Sequence, residues 1–163
     1  LEGLIAEVGD LGVPVITAGG IARPEDLAHA LGLGYQGVQM GTRFIATPEC
    51  RVSDAYKRAI VGATEDDIVL SERVTGVPLA VIRTPYVDRM GLRAGPIARW
   101  MLRGRRRKRF MRAIYALRSG WQLKRTSLDA RGAREFWQAG KSVAGIDAVE
   151  PAAAIVERFG AAV

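Results

Sequence analysis

The chain has one cysteine, one histidine and few aromatic residues among its 163 positions. A single thiol, Cys50, cannot close an internal disulfide, and without a Cys/His cluster nothing suggests a metal centre. Cys50 reads as a bland, partly buried thiol rather than a nucleophile. Although 48% of the residues are hydrophobic, no run of about 18 is free of charge, which excludes an uncharged membrane-spanning helix. The opening residues carry no secretory pattern, so a cytoplasmic location is expected. The lone histidine, His29, lies mid-helix in Asp26-Leu-Ala-His-Ala-Leu-Gly32. It falls on the face opposite Leu27 and Leu31, so it reads as solvent-facing rather than catalytic.

Two glycine-ended apolar stretches carry most of the information. Val13-Pro-Val-Ile-Thr-Ala-Gly-Gly-Ile21 reads as a buried parallel strand running into Gly19 and Gly20, and Gly37-Val-Gln-Met-Gly-Thr-Arg-Phe44 as a second strand ending at Gly41 and Thr42. Glycine tolerates positive φ and lets an anion approach backbone N–H groups. Pro24-Glu-Asp-Leu27 opens a helix, with proline early and acids in its first turn, and a helix N-terminus favours anions. Two such turns at one end of neighbouring parallel strands form a phosphate grip. In eight-stranded βα barrels this site is frequently built by the loops after the last two strands.

Further along, Ser53 to Gly62 reads as a helix with Ala55, Ala59 and Ile60 inward. Ile68-Val-Leu70 and Pro78-Leu-Ala-Val-Ile82 read as short strands flanking Arg73-Val-Thr-Gly-Val77, and Pro151 to Phe159 as a terminal helix closed by Gly160. Gly140-Lys-Ser142 has the ending of a nucleotide P-loop, but the glycine required five positions earlier is Glu135, so nucleoside triphosphate binding is rejected.

These residues resemble the nitronate monooxygenase family, formerly called 2-nitropropane dioxygenases. The resemblance rests on Pro14 to Ile21, Gly37 to Phe44, Ala55-Tyr-Lys57 and Trp137-Gln-Ala-Gly-Lys-Ser-Val-Ala-Gly-Ile146. It implies an FMN-dependent flavoenzyme on a TIM barrel that oxidises alkyl nitronates with molecular oxygen. Gly19, Gly20, Gln39, Met40, Gly41 and Thr42 would hold the FMN phosphate. Gly140 and Lys141, the latter often glutamine in the family, would lie toward the flavin ring or substrate. Thr75 and Gly76 would either approach the substrate cavity or form a surface hairpin, the preferred reading. The family's catalytic histidine lies on an earlier loop that nothing here matches, so no catalytic residue is assigned.

A complete barrel needs roughly 250 residues. The expectation is therefore an α/β chain forming the C-terminal part of a TIM (β/α)8 barrel, with a helical insertion after the last barrel strand. Residues 1–50 would be the phosphate-binding β/α units, 51–135 an excursion, and 136–163 the flavin-side loop and terminal helix. Self-association into a homo-oligomer stays open. The enzymatic alternative is a flavin-dependent enoyl reductase of the same superfamily.

Charge supplies the competing reading. Between Arg89 and Leu128 lie 13 of the 24 Lys and Arg and none of the 17 acids. The centre is Arg103-Gly-Arg-Arg-Arg-Lys-Arg-Phe110, and Trp100, Met111, Ile114, Leu117 and Trp121 recur at near-helical steps. The preferred reading is a solvated helical insertion packed on the barrel. An anionic membrane surface or acidic partner reached through residues 99–112 and nucleic acid are the alternatives, the latter disfavoured for want of a recognisable motif.

Overall fold

The computed structural model describes residues 12–73, 78–93 and 136–162, with Gly3, Ile5 and Val8 ahead of them. Its architecture is α/β, as the sequence predicts. Strand β1 (Ile16–Ala18) leads through Gly19 and Gly20 to helix α1 (Pro24–Gly32), and strand β2 (Gly37–Gln39) leads to the single turn α2 (Thr42–Ile45). β1 and β2 pair in parallel, with Ile16 opposite Gly37 and Ala18 opposite Gln39.

The first strand is shorter than the apolar run that announces it. Pro14 has no N–H to give, and at the next residue Val15 donates to the Gln36 side chain at 2.6 Å while its carbonyl accepts from Gln36 N at 2.9 Å. The regular ladder starts only at Ile16. The expectation of a buried strand is also corrected: Thr17 is buried, but Ile16 is 62% exposed and Val13 is exposed. Among the described residues this sheet is two strands wide.

Helix α3 (Asp54–Gly62) begins where Ser53 Oγ accepts the Tyr56 N–H, satisfying one of the orphan donors at a helix start. It buries Tyr56, Lys57 and Ile60, and partly Ala55 and Ala59. A 3-10 turn, Glu65–Asp67, leads into strand β3 (Ile68–Ser71), which pairs antiparallel with β4 (Leu79–Ile82). Thr84 caps helix α4 (Pro85–Met90), and Gly91 ends it at φ +78°, a conformation glycine adopts freely.

Residues 136–140 return alongside β4, where Ile82 N donates to Trp137 O and Ala139 N to Ala80 O. A 3-10 turn, Lys141–Gly145, and helix α5 (Ala152–Gly160) complete the described chain. Pro151 immediately precedes α5, and Glu49 accepts the Ala152 N–H at 3.0 Å.

One core joins α3, β4 and the returning segment through Tyr56, Ile60, Ile82, Trp137, Val143 and Ile146. A second lies between the first sheet and α5, where Ile21, Ile155 and Phe159 gather Val38, Met40 and Phe44. His29 is exposed, as its helical position predicts. Thr75, Gly76, most of the basic stretch 89–128 with its 99–112 centre, and the helical insertion expected there lie outside the described residues.

Candidate functional site

Gly19 and Gly20 follow β1 at φ +90° and +77°, where a residue with a Cβ is disfavoured by roughly 1–2 kcal/mol. A Cβ added at either glycine, or at Gly41, would meet nothing within 4 Å. The turn requires glycine for its backbone, and the space in front of that backbone is open. The helix start behind it is not bare. Asp26 accepts the N–H groups of both Ala22 and Arg23 at 2.8 Å, so the chain's own carboxylate takes the anion position at the N-terminus of α1. The Gly20 N–H, by contrast, has no backbone acceptor among the described residues.

The second turn lies directly beside the first. Gly19 N donates to Gln39 O at 3.5 Å, holding the exits of β1 and β2 together. Gln39 is exposed. The Met40 side chain packs into the core with Ile21 and Phe159, which leaves its backbone as the part available to the site. Gly41 caps α2, its carbonyl accepting from Phe44 and Ile45. Thr42 Oγ1 accepts the Gly140 N–H at 3.1 Å, and a hydroxyl that accepts keeps its own proton to donate.

That last bond brings a third segment to the site, across 98 positions of sequence. The segment is firmly held. Trp137 stacks on Tyr56 with centroids 5.9 Å apart, and the buried Tyr56 hydroxyl donates to Gln138 O. Burial is the main reason the Tyr56 phenol is pushed well above its ordinary range. At the far end, an added Cβ on Gly145 would fall 2.6 Å from Ala22 Cβ, and Arg23 Nη2 donates to Ala144 O at 3.3 Å. The 3-10 turn thus sits flush against the start of α1. Between them lies a cleft of about 160 Å³ lined by Gly20, Arg23, Asp26, Glu65, Lys141 and Ser142 among others. Lys141 Nζ is 3.9 Å from Glu65 Oε2, and both side chains are exposed.

The eight residues assigned to the phosphate and flavin side lie on three adjacent segments. Gly19 and Gly20 form the first; Gln39, Met40, Gly41 and Thr42 the second; Gly140 and Lys141 the third. Open space before bare glycine backbone, a threonine hydroxyl and a lysine suit a phosphate monoester. Among the described residues no group of three or more His, Cys, Asp or Glu is placed to hold a metal ion, and Cys50 is free and half-buried.

Sequence reasoning missed the support behind the second turn. Arg43 is only 3% exposed. It donates to Ala148 O at 3.1 Å and pairs with Glu150, which also takes two hydrogen bonds from Arg158. Burial foremost, then the nearby Arg158, lower the Arg43 pKa, while Asp147 opposes them. Arg43 Nε is buried without a partner among the described residues. The pair Arg43–Glu150 ties the second glycine turn to the approach of α5. No local pattern in Gly-Thr-Arg-Phe announces a buried arginine.

Comparison with known proteins gives the family and the fold. Residues 1–129 match the family model described as nitronate monooxygenase. A (3aS,4S,5R,7aS)-5-hydroxy-7a-methyl-1-oxo-octahydro-1H-indene-4-carboxyl-CoA dehydrogenase of Mycobacterium tuberculosis is 42% identical over 90 residues, 55% of this chain and 25% of that one. A probable nitronate monooxygenase of Staphylococcus saprophyticus is 37% identical over 83 residues, 51% of this chain and 23% of that one. Among solved structures, FabK from Thermotoga maritima superposes with a TM-score of 0.72 at 32% identity, covering 99% of this chain and 48% of that one. A nitroalkane oxidase from Streptomyces ansochromogenes, at 24% identity and TM-score 0.71 over 99% of this chain and 42% of that one, shares the fold. The chain thus corresponds to less than half the length of these solved relatives, and its matched part to about a quarter of the sequence relatives. With the family model spanning residues 1–129, and with both glycine turns inside that span, this chain belongs to the nitronate monooxygenase family of oxidoreductases.

Proposed function

We propose that the protein to which this chain belongs is an FMN-dependent enzyme that oxidises alkyl nitronates with molecular oxygen, and that this chain supplies the phosphate end of the flavin site. In this reading the chain is the C-terminal part of a TIM barrel, and β1 and β2 are its last two strands. The observation that carries the proposal is the convergence of two glycine-ended parallel strands and a third loop, joined where Gly140 N–H meets Thr42 Oγ1. The backbone of Gly19, Gly20, Met40 and Gly41, with the Thr42 hydroxyl, would hold the FMN phosphate, and Gln39 would edge the site. Bound FMN supplies the electron transfer between substrate and oxygen. The residues of this chain would fix the cofactor by its phosphate tail, the protein's part being binding and orientation. The positive field of segment 89–128 would favour encounter with an anionic nitronate.

A second reading, redox chemistry on an acyl thioester, is favoured by the relative named as a carboxyl-CoA dehydrogenase. It shares the phosphate grip and differs in substrate. The full-length protein decides between them. A flavin spectrum, FMN released on denaturation and oxygen uptake with an alkyl nitronate support the first. NADH-linked turnover of an enoyl thioester without nitronate oxidation supports the second. Full-length protein that neither carries nor binds flavin overturns both.

A further inference from the structure

The cleft beside Gly20 has a property that the glycine turns alone do not explain. Its volume of about 160 Å³ lies below the roughly 300–1,000 Å³ of clefts that enclose a drug-sized ligand, so it suits the phosphate end of a ligand rather than a ring system. Four charged side chains line it: Arg23 and Lys141 as cations, Asp26 and Glu65 as anions. Formal charge cancels, which is a poor host for a group carrying about −1.5 to −2.

The four groups are not equally committed. Asp26 is engaged by the Ala22 and Arg23 amides, and Arg23 donates to Ala144 O. Lys141 and Glu65 are both exposed and meet only at 3.9 Å, and an exposed pair of that kind contributes little. The backbone beneath Lys141 is fixed, however. Gly140 is bonded to Thr42 on one side, and Gly145 sits against Ala22 on the other. A mobile four-carbon side chain on a fixed base can pivot without moving the loop.

We propose that Lys141 is a phosphate-binding residue: it leaves Glu65 for the phosphate held by the first glycine turn, and so sets the preference for the phosphorylated over the dephosphorylated flavin. This rests on the phosphate reading above and moves Lys141 from the ring side, where the family resemblance put it, to the tail. A doubly charged phosphate outcompetes a singly charged, solvent-screened carboxylate for one ammonium. Glu65 is then the resting partner, and its charge opposes phosphate entry.

The test compares FMN with riboflavin, which lacks the phosphate, by fluorescence titration of the full-length apoprotein. Lys141→Gln is expected to weaken FMN about tenfold with riboflavin changed less than about twofold, and Lys141→Arg to retain most FMN affinity. Glu65→Gln is expected to tighten FMN about two- to threefold at low salt and to leave riboflavin unaffected. Unaltered thermal midpoints show that all three variants fold. An unchanged FMN Kd in Lys141→Gln, or equal losses for FMN and riboflavin, overturns the assignment while leaving the flavin reading intact. Failure of the unsubstituted protein to bind either flavin overturns both.

Discussion

Gly145 offers the sharpest perturbation, because the structure fixes both its direction and its size. The Cβ of Gly145→Ala would lie 2.6 Å from Ala22 Cβ, 3.2 Å from Arg23 Cγ and 3.3 Å from Arg23 Nε. Carbon atoms rest at about 3.5–4.0 Å, so the two methyl groups overlap by about 1 Å. Arg23 can swing aside, but Ala22 cannot, because its Cβ is fixed to backbone whose N–H is held by Asp26. The 3-10 turn Lys141–Gly145 must therefore lift. Overpacking of this kind costs about 1–3 kcal/mol, which shifts the balance between seated and lifted turn about 5- to 150-fold. Lifting carries Lys141 and Ser142 away from the Gly20 cleft and strains the Gly140–Thr42 bond. The expected result is an FMN Kd about tenfold weaker in Gly145→Ala, with a smaller loss for riboflavin and a thermal midpoint lowered by several degrees. Gly32→Ala is the control: Gly32 has ordinary φ, and an added Cβ there meets nothing within 4 Å, so neither quantity should fall. Wild-type FMN affinity and an unchanged midpoint in Gly145→Ala would refute the reasoning.

Other substitutions probe separate parts of the same account. Gly20→Val places a branched side chain in the open space before the first turn at φ +77°, and FMN affinity should fall at least tenfold, beyond the roughly 1–2 kcal/mol of backbone strain. Retained affinity would remove Gly20 from the site. Glu150→Ala leaves the buried Arg43 without its carboxylate and should destabilise the protein by about 3–5 kcal/mol in denaturant unfolding. Arg158→Ala, which removes an exposed partner of the same carboxylate, should cost no more than about 1 kcal/mol. Hydrogen bonds from its own backbone and from Ala152 hold the Glu49 carboxyl below its ordinary 4.5. Its support for the start of α5 is present above pH 4.5 and is lost as pH falls through the lower folded value. Amide exchange at α5 should therefore accelerate on acidification below pH 4.5, and Glu49→Gln should flatten that dependence.

The sequence discloses the strand-to-glycine turns because their causes are local: β-branched runs, glycine where φ must be positive, and proline and acids opening a helix. The same holds for Ser53 starting α3, for the β3–β4 hairpin around Arg73 and for Pro151 before α5. What it does not disclose depends on residues far apart in the chain. Gly145 looks like any loop glycine until Ala22 is placed against it, and Arg43 looks solvent-exposed until Glu150, 107 positions later, is brought to it. Tyr56 and Lys57 are buried where periodicity points to Ala55 and Ala59, because the returning segment delivers Trp137 onto that side of α3. Asp26 reads from sequence as a favourable charge in a first turn. The structure shows it occupying the amides that would otherwise be free for a ligand, which moves the candidate phosphate contact from the helix start to the glycine backbone.

The two ends that flank residues 94–135 are both pinned to one small unit. Glu72 N–H donates to Leu92 O at 2.8 Å on one side, and Phe136 is buried with Val81 and Val87 on the other. The protein's concentration of positive charge falls largely within the stretch 94–135, while the glycine turns, Thr42 and Lys141 all lie outside it. Electrostatic character and the proposed phosphate contacts are thus carried on different parts of the chain, so substitutions within 94–135 can change the protein's charge without touching the glycine turns.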